Sequence, residues 1–170
     1  MSRMSGPWQV SHLVSTDSGM CALWQPEHFD GVTSLDEWED EVAEDAALER
    51  HIAAGAFVPV NVGGDGAFRV IVRAGGLTHP ERAVRLVSSE PAYLLVSQGQ
   101  VALGGLEDVG AEGDPILLPL AAGRYSVTVH LIDWQAVASP AEGALPDFVV
   151  EIGADSGAPY RASTESFDRP

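Results

Sequence analysis

In residues 124–132, RYSVTVHLI, polar and apolar side chains alternate from Arg124 to Leu131. The larger members share one face of an extended chain: Tyr125, Val127, Val129 and Leu131. Successive side chains of a β-strand point to opposite sides of the sheet, so this period predicts a strand with one face on the core and one face in water. Residues 67–73, AFRVIVR, repeat the pattern.

Similar short runs, separated by Gly, Pro and Asp, occur along most of the chain. The ten predicted strands are 8–14, 19–25, 56–62, 67–73, 83–89, 92–98, 100–105, 116–120, 124–132 and 147–152. Gly99 is expected near the tip of a hairpin between two of them. Such a series of strands is typical of a sandwich or barrel. We therefore predict a mainly β, single-domain antiparallel β-sandwich of about 8–10 strands over residues 1–152, followed by a polar tail, 153–170, that is loose or draped over the surface.

One segment departs from this pattern and predicts a helical insertion at about residues 34–54, between early strands. Eight of the fourteen residues at positions 36–49 are Asp or Glu, and none is basic. Ser34 and Glu37 have the S-x-x-E spacing of a capping box, and Gly55 is a suitable helix stop. The segment is therefore expected to form one acidic helix or two short ones.

The faces of this helix leave three alternatives open, because Asp45 and Glu49 fall on the stripe that would face the core. The helix breaks near Glu44 and Asp45, with Asp45 capping a second helix. Or it is continuous, and both acids pair with arginines such as Arg69 or Arg73. Or the stripe is open to solvent and the acids await a partner.

The overall charge limits the classes of partner. The chain has nine arginines, no lysine and 25 acidic residues, which gives a formal net charge of −16. Such a field repels nucleic-acid phosphates and anionic membrane surfaces, so neither is expected as a partner, whereas a basic protein would be attracted. The alternative is that the charge only keeps the protein in solution.

The single cysteine and the N-terminal sequence predict a cytoplasmic protein. A single cysteine, Cys21, excludes an internal disulfide and suits a reducing environment, where we expect it to be a small buried apolar residue. The first ten residues contain no apolar segment of a secretory signal, and no apolar run approaches the ~18 residues of a membrane span. The sequence does not predict an oligomeric state.

The sequence contains no recognisable catalytic or metal-binding motif, so we expect no catalytic residue, no cofactor and no metal. No phosphate-binding loop or nucleophile elbow occurs, and no two histidines are close in sequence. A loop offers four carboxylates as a weak calcium candidate, but acidic loops are ordinarily only solvated: Glu107, Asp108, Glu112 and Asp114.

Residues 120–134, LAAGRYSVTVHLIDW, resemble a strand entry of small bacterial all-β proteins: a Gly turn, an aromatic residue, alternating valines and a final Trp134. As an acidic small β domain, the chain is also similar to competence protein J-type nuclease inhibitors and to immunity proteins of bacterial toxin systems. The resemblance brings no catalytic residues. It implies a binding role against a basic partner.

The main functional prediction is a non-enzymatic cytoplasmic interaction protein, inhibitor-like or immunity-like, whose acidic surface binds a basic protein by electrostatic attraction. The candidate partner-binding residues, with Trp38 as an aromatic anchor, are Asp36, Trp38, Asp40, Glu44, Asp45 and Glu49. The alternative is a β-sandwich module that binds a small ligand or carbohydrate through aromatic side chains and the polar face of Ser126, Thr128 and His130.

Overall fold

The computed structural model describes residues 8–133, 145–157 and 159–165, so the predicted strand end at Trp134 lies outside the described residues. The strands are β1 (Gln9–Thr16), β2 (Met20–Trp24), β3 (Phe57–Asn61), β4 (Gly66–Ala74), β5 (Arg85–Ser88), β6 (Tyr93–Gly105), β7 (Ile116–Ile132) and β8 (Phe148–Ala154). The helices are α1 (Leu35–Trp38), α2 (Asp45–Ala53) and α3 (His79–Ala83), with a π-helical turn over Glu39–Ala43 and 3-10 turns over Pro26–Phe29 and Leu106–Asp108.

Hydrogen bonds join the strands into one 8-stranded sheet in the order β1-β4-β8-β7-β6-β2-β3, with β5 also paired to β7. The prediction of a mainly β fold with helices between early strands is confirmed. The pairing of β4 with β8 is parallel and departs from the predicted antiparallel pattern. The sandwich packing predicted for these strands is not confirmed, because the described strands belong to one sheet.

The sheet curls, and short connections show this directly. β3 is one end of the strand order and β4 lies next to the other end, yet only residues 62–65 join them. A link from Asn61 to Gly66 spans at most about 18 Å, so the two ends of the sheet must approach each other. The side chains on the inner side of this curl form one apolar core that includes Trp24, Phe57, Leu95, Val127 and Val150.

Two glycines predicted to lie in turns, Gly99 and Gly123, are inside long strands. β6 and β7 each combine two predicted strands, so the predicted hairpin at Gly99 is wrong. The register of the β6–β7 ladder shifts between Ser97 and Gly99, where Gly99 has a φ of 126°. Ser97 Oγ donates a 2.7 Å hydrogen bond to the Leu120 carbonyl and fastens this bulge. A glycine at positive φ serves a bulge as well as a turn, which explains the error.

The acidic segment forms two short helices, which confirms the first of the three alternatives with one correction. Glu44 has extended backbone angles (φ −87°, ψ 127°) and separates the π-helical turn from α2. Glu44, rather than Asp45, is therefore the N-cap residue. Ser34 caps α1 as expected by accepting from the Glu37 N–H, but the Glu37 carboxylate binds Thr33 instead of completing a capping box. Gly55 ends α2 with a φ of 80°.

Cys21 is fully buried on β2, which confirms the expected small apolar role. Burial, together with the charge of Glu107, raises the pKa of its thiol to about 12. The thiol is therefore neutral at physiological pH and is screened from solvent.

The described part of the C-terminal segment lies against the strands. The Tyr93 hydroxyl donates to the Ser163 and Glu165 carbonyls at 3.0 and 2.9 Å. Asn61 Nδ2 donates to the Thr164 carbonyl at 2.6 Å. The Arg161 N–H donates to the Ala92 carbonyl at 2.8 Å. The segment is thus draped over β3 and β6, while the domain boundary at residue 152 stays a prediction.

Candidate functional site

The predicted partner-binding residues lie together on the two short helices and the turn between them. All five predicted carboxylates are exposed, and within the described residues none has a hydrogen-bond or ion-pair partner: Asp36, Asp40, Glu44, Asp45 and Glu49. We call these five and Trp38 the acidic surface.

The alternative in which arginines neutralise Asp45 and Glu49 is wrong. Arg73 is buried against Glu81, and the Arg69 guanidinium contacts Ser11 Oγ at 3.4 Å. Both acids are open to solvent, as the third alternative expected, while a partner for them stays a prediction. The break at Glu44 explains this, because α2 starts a new helical phase that buries Ala47, Leu48 and Ile52 instead.

Trp38 lies beside a surface groove of about 360 Å³ that runs between α1 and the loop 107–113. The indole is half-buried, and its Nε1 donates a 3.2 Å hydrogen bond to the Leu106 carbonyl. This bond fixes the ring plane at the groove wall. Leu35, whose exposed fraction is 71%, lines the same groove and adds an apolar surface that the core does not use. We call this cavity the Trp38 groove.

Three carboxylates line the opposite side of the Trp38 groove: Glu107, Asp108 and Glu112. Glu107 is held in place, since it accepts from Thr16 Oγ1 at 2.9 Å and from the Asp17 N–H at 3.0 Å. Burial alone would raise the pKa of Glu107, but these hydrogen bonds and one from its own N–H lower it below the usual value. Glu107 therefore remains anionic.

The charge of Glu107 acts on its neighbours. It is the main reason why the pKa of the exposed Asp17 is raised, with smaller contributions from burial, Asp65 and Asp108. Like charges thus repel one another at this end of the sheet. A bound cation would relieve that repulsion.

A second groove, of about 310 Å³, lies on the other side of α1 and is lined by Asp40, Glu37, Glu41 and His28 among others. His28 Nε2 and His51 Nδ1 are 2.9 Å apart, and His51 Nε2 lies 3.1 Å from Glu41 Oε1. Burial, then the charge of His51, lowers the pKa of His28, against a smaller opposite effect of Glu41. Sequence reasoning missed this pair because 23 positions separate the two histidines.

The polar face proposed for a small ligand is occupied by internal hydrogen bonds at its centre. His130 Nδ1 lies 2.6 Å from Ser88 Oγ, and Nε2 lies 2.9 Å from Glu151 Oε1. His130 is buried, as is Trp24, so neither presents a free surface to a ligand.

Two features of the described residues bear on the kind of site. Within the described ranges, no three His, Cys, Asp or Glu side chains are grouped as ligands for a metal ion. No helix in the same residues is long and apolar enough to cross a bilayer.

Neither models of known protein families nor curated proteins give a match to this chain. Among solved structures, the chain is similar to ComJ, inhibitor of the DNA-degrading activity of NucA, from Bacillus subtilis. The TM-score is 0.56 at 10% identity, covering 88% of this chain and 98% of that one. The protein of crocagin biosynthetic gene J is similar at a TM-score of 0.50 and 15% identity, covering 88% and 97%. The predicted resemblance to competence protein J-type inhibitors is thus confirmed as a likeness of fold.

Proposed function

We propose that the chain is a non-enzymatic cytoplasmic interaction protein whose acidic surface binds a basic protein partner in the manner of an inhibitor or immunity protein. One observation carries this proposal: five neighbouring carboxylates are exposed and have no partner within the described part of the chain. Asp36 and Asp45 suit the first turns of their helices, but no partner within the described residues explains the other three carboxylates. All five carboxylates face solvent from the same segment of two short helices and the turn between them.

The physics favours association with a cation-rich surface. One exposed charge pair in water is worth about 1 kcal/mol at 4 Å, so a single carboxylate adds little. Five carboxylates on one segment, within a formal net charge of −16, produce a field that orients and accelerates the approach of a basic protein. The same field disfavours nucleic acid and anionic membrane as direct partners.

The structural likeness supports an inhibitor-like role. ComJ inhibits the DNA-degrading activity of NucA, and its fold is similar to that of this chain. The Trp38 groove gives the acidic surface an aromatic and apolar centre, as is common where a few residues dominate an interface. The proposed occupant of the surface is therefore a protein such as a nuclease.

The test measures binding to NucA and to other basic DNA-degrading nucleases, together with their DNA-degrading rates, at 50 and 300 mM NaCl. We expect a complex that weakens at least about tenfold at the higher salt, because exposed charges are screened. A salt-insensitive affinity for every nuclease, or binding no tighter than to a neutral protein, would contradict the proposal.

A matched pair of variants separates the place of the charges from their number. The double variant Asp40→Asn, Glu44→Gln removes two charges from the acidic surface, and Asp65→Asn, Glu90→Gln removes two exposed charges elsewhere. We expect about tenfold weaker binding for the first and less than about twofold for the second. Equal losses would show that net charge alone matters and that the acidic surface is not the contact.

A further inference from the structure

The Trp38 groove has the shape, wall chemistry and charge of a site for one extended cationic side chain. We propose that it binds an arginine side chain of the partner, an inference that rests on the proposed function. The indole of Trp38 and the exposed Leu35 provide two apolar walls at α1, and carboxylates from the loop 107–113 lie across from them. No internal cation neutralises that loop within the described residues.

The apolar walls suit the stem of such a side chain. The hydrogen bond from Trp38 Nε1 to the Leu106 carbonyl sets the orientation of the indole, so the ring need not be ordered upon binding. A cation over an indole face gains about 0.5–2 kcal/mol, and the methylene groups of arginine can cover Leu35. A preformed wall of this kind costs little conformational entropy when the ligand binds.

The carboxylates suit the head group. Glu107 is fixed by hydrogen bonds and stays ionised, Asp108 accepts only a long 3.4 Å contact from the Asp114 N–H, and Glu112 is exposed and has no partner among the described residues. Glu112 and Asp108 therefore retain acceptor capacity for a donor from outside. A guanidinium offers five donors in one plane and forms bidentate bonds with carboxylates.

Arginine fits this combination better than the other candidates. A lysine ammonium is compact and strongly hydrated, so it loses more hydration on entering an apolar groove and cannot stack on the indole. The hydroxyls of a neutral sugar could donate to the carboxylates, but a sugar brings no positive charge to balance them. The volume of about 360 Å³ is at the lower end of the range for sites that hold small groups.

The probe for the test is N-acetyl-arginine amide, compared with N-acetyl-citrulline amide, its neutral isostere, and with N-acetyl-lysine amide. Binding is followed by nuclear magnetic resonance through the Trp38 indole N–H signal, which Trp38→Phe identifies by its loss. We expect a saturable shift with the arginine probe at low-millimolar concentration and at least about fivefold weaker binding of the other two. Equal binding of citrulline or lysine would overturn the assignment to arginine.

Variants then locate the site. Glu112→Gln, on an exposed side chain that makes no bond within the described residues, should weaken the arginine probe at least about threefold, whereas Glu90→Gln, on an exposed residue outside both the groove and the acidic surface, should leave it unchanged. Unchanged binding in Glu112→Gln together with Asp108→Asn would also overturn the proposal. If a basic nuclease binds through Asp40 and Glu44 but not through Glu112 and Trp38, the arginine site is wrong and the proposed function stands. Binding of the arginine probe without binding of any basic protein would support the arginine site and contradict the proposed function.

Discussion

Arg73 and Glu81 form a buried, bidentate ion pair between β4 and α3. Nη1 lies 2.6 Å from Oε1 and Nη2 lies 2.9 Å from Oε2, and the two residues are 8% and 2% exposed. Burial alone would raise the pKa of Glu81, but hydrogen bonds from Arg73 and Thr78 lower it below its usual value. This pairing places one of the few cations of the chain away from the acidic surface.

Replacing Glu81 with Gln should destabilise the protein by about 3 kcal/mol at pH 7, because it leaves the Arg73 charge buried without its partner. Urea unfolding measures the loss, and the exposed Glu90→Gln is the control, with an expected change below about 0.5 kcal/mol. The lowered pKa of Glu81 also means that its contribution is present above the unfolded pKa near 4.5 and disappears as the pH falls below it. Wild type and Glu81→Gln should therefore converge at acidic pH, and a constant difference down to pH 3 would contradict this account.

The lowered pKa of His28, which burial and then the charge of His51 cause, should make stability pH-dependent in a higher window. The pKa of His28 is lower in the folded protein, so the unfolded chain binds more protons, and stability should fall as the pH drops below about 6.5. The groups that face His28 are His51, Glu41, Glu37 and Asp40. Urea unfolding of wild type and His28→Gln between pH 8 and pH 5 should give a steeper loss for wild type. Parallel curves would contradict a lowered pKa of His28 in the folded protein.

Gly55→Ala should cost about 2 kcal/mol or more. The residue has a φ of 80°, which an L side chain rarely adopts, and an added Cβ would lie 2.7 Å from Val96 Cγ2. Gly64→Ala is the matched control, since a Cβ there would meet no atom within 4 Å. Thermal and urea unfolding should show a lower stability for Gly55→Ala than for Gly64→Ala. Equal stability would mean that the end of α2 can rearrange.

Glu44→Ser should stabilise the protein by up to about 1 kcal/mol. Glu44 is the N-cap residue of α2 but makes no side-chain capping bond, whereas a serine hydroxyl accepts from a free N–H of the first turn. Glu44→Ala removes the same charge without adding a cap and should not share the gain. Both variants should weaken a basic partner equally, which separates helix stability from binding. A lower melting temperature for Glu44→Ser than for Glu44→Ala would contradict the assignment of the cap.

Local patterns predicted much of the fold. Alternation in residues 124–132 correctly predicted a strand with Val127 and Val129 in the core, because side-chain period depends only on neighbouring residues. The expected water-facing side is only partly open, since His130 and Ile132 on it are also buried. The ends of the acidic segment at Ser34 and Gly55 were also readable. The hairpin predicted at Gly99 is wrong because a bulge and a turn need the same backbone freedom. Only the partner strand decides between them.

The candidate site was predictable in part for a related reason. The exposed carboxylates lie in one continuous segment, so the sequence alone brought them together. The hydrogen bond from Trp38 to the Leu106 carbonyl joins positions 68 residues apart, and the groove between α1 and the acidic loop exists only after the chain has folded. Leu35 and Glu112 carry no sequence signal that would assign them to one cavity.

The deep position of Cys21 also has a practical consequence. The chain contains one cysteine, and its thiol is fully buried and protonated at neutral pH. Maleimide reagents need an accessible thiolate, so the native chain offers them almost no competing target. A cysteine introduced at Glu44 can thus carry a single fluorophore, which would report in real time whether a tested protein reaches this side of the molecule.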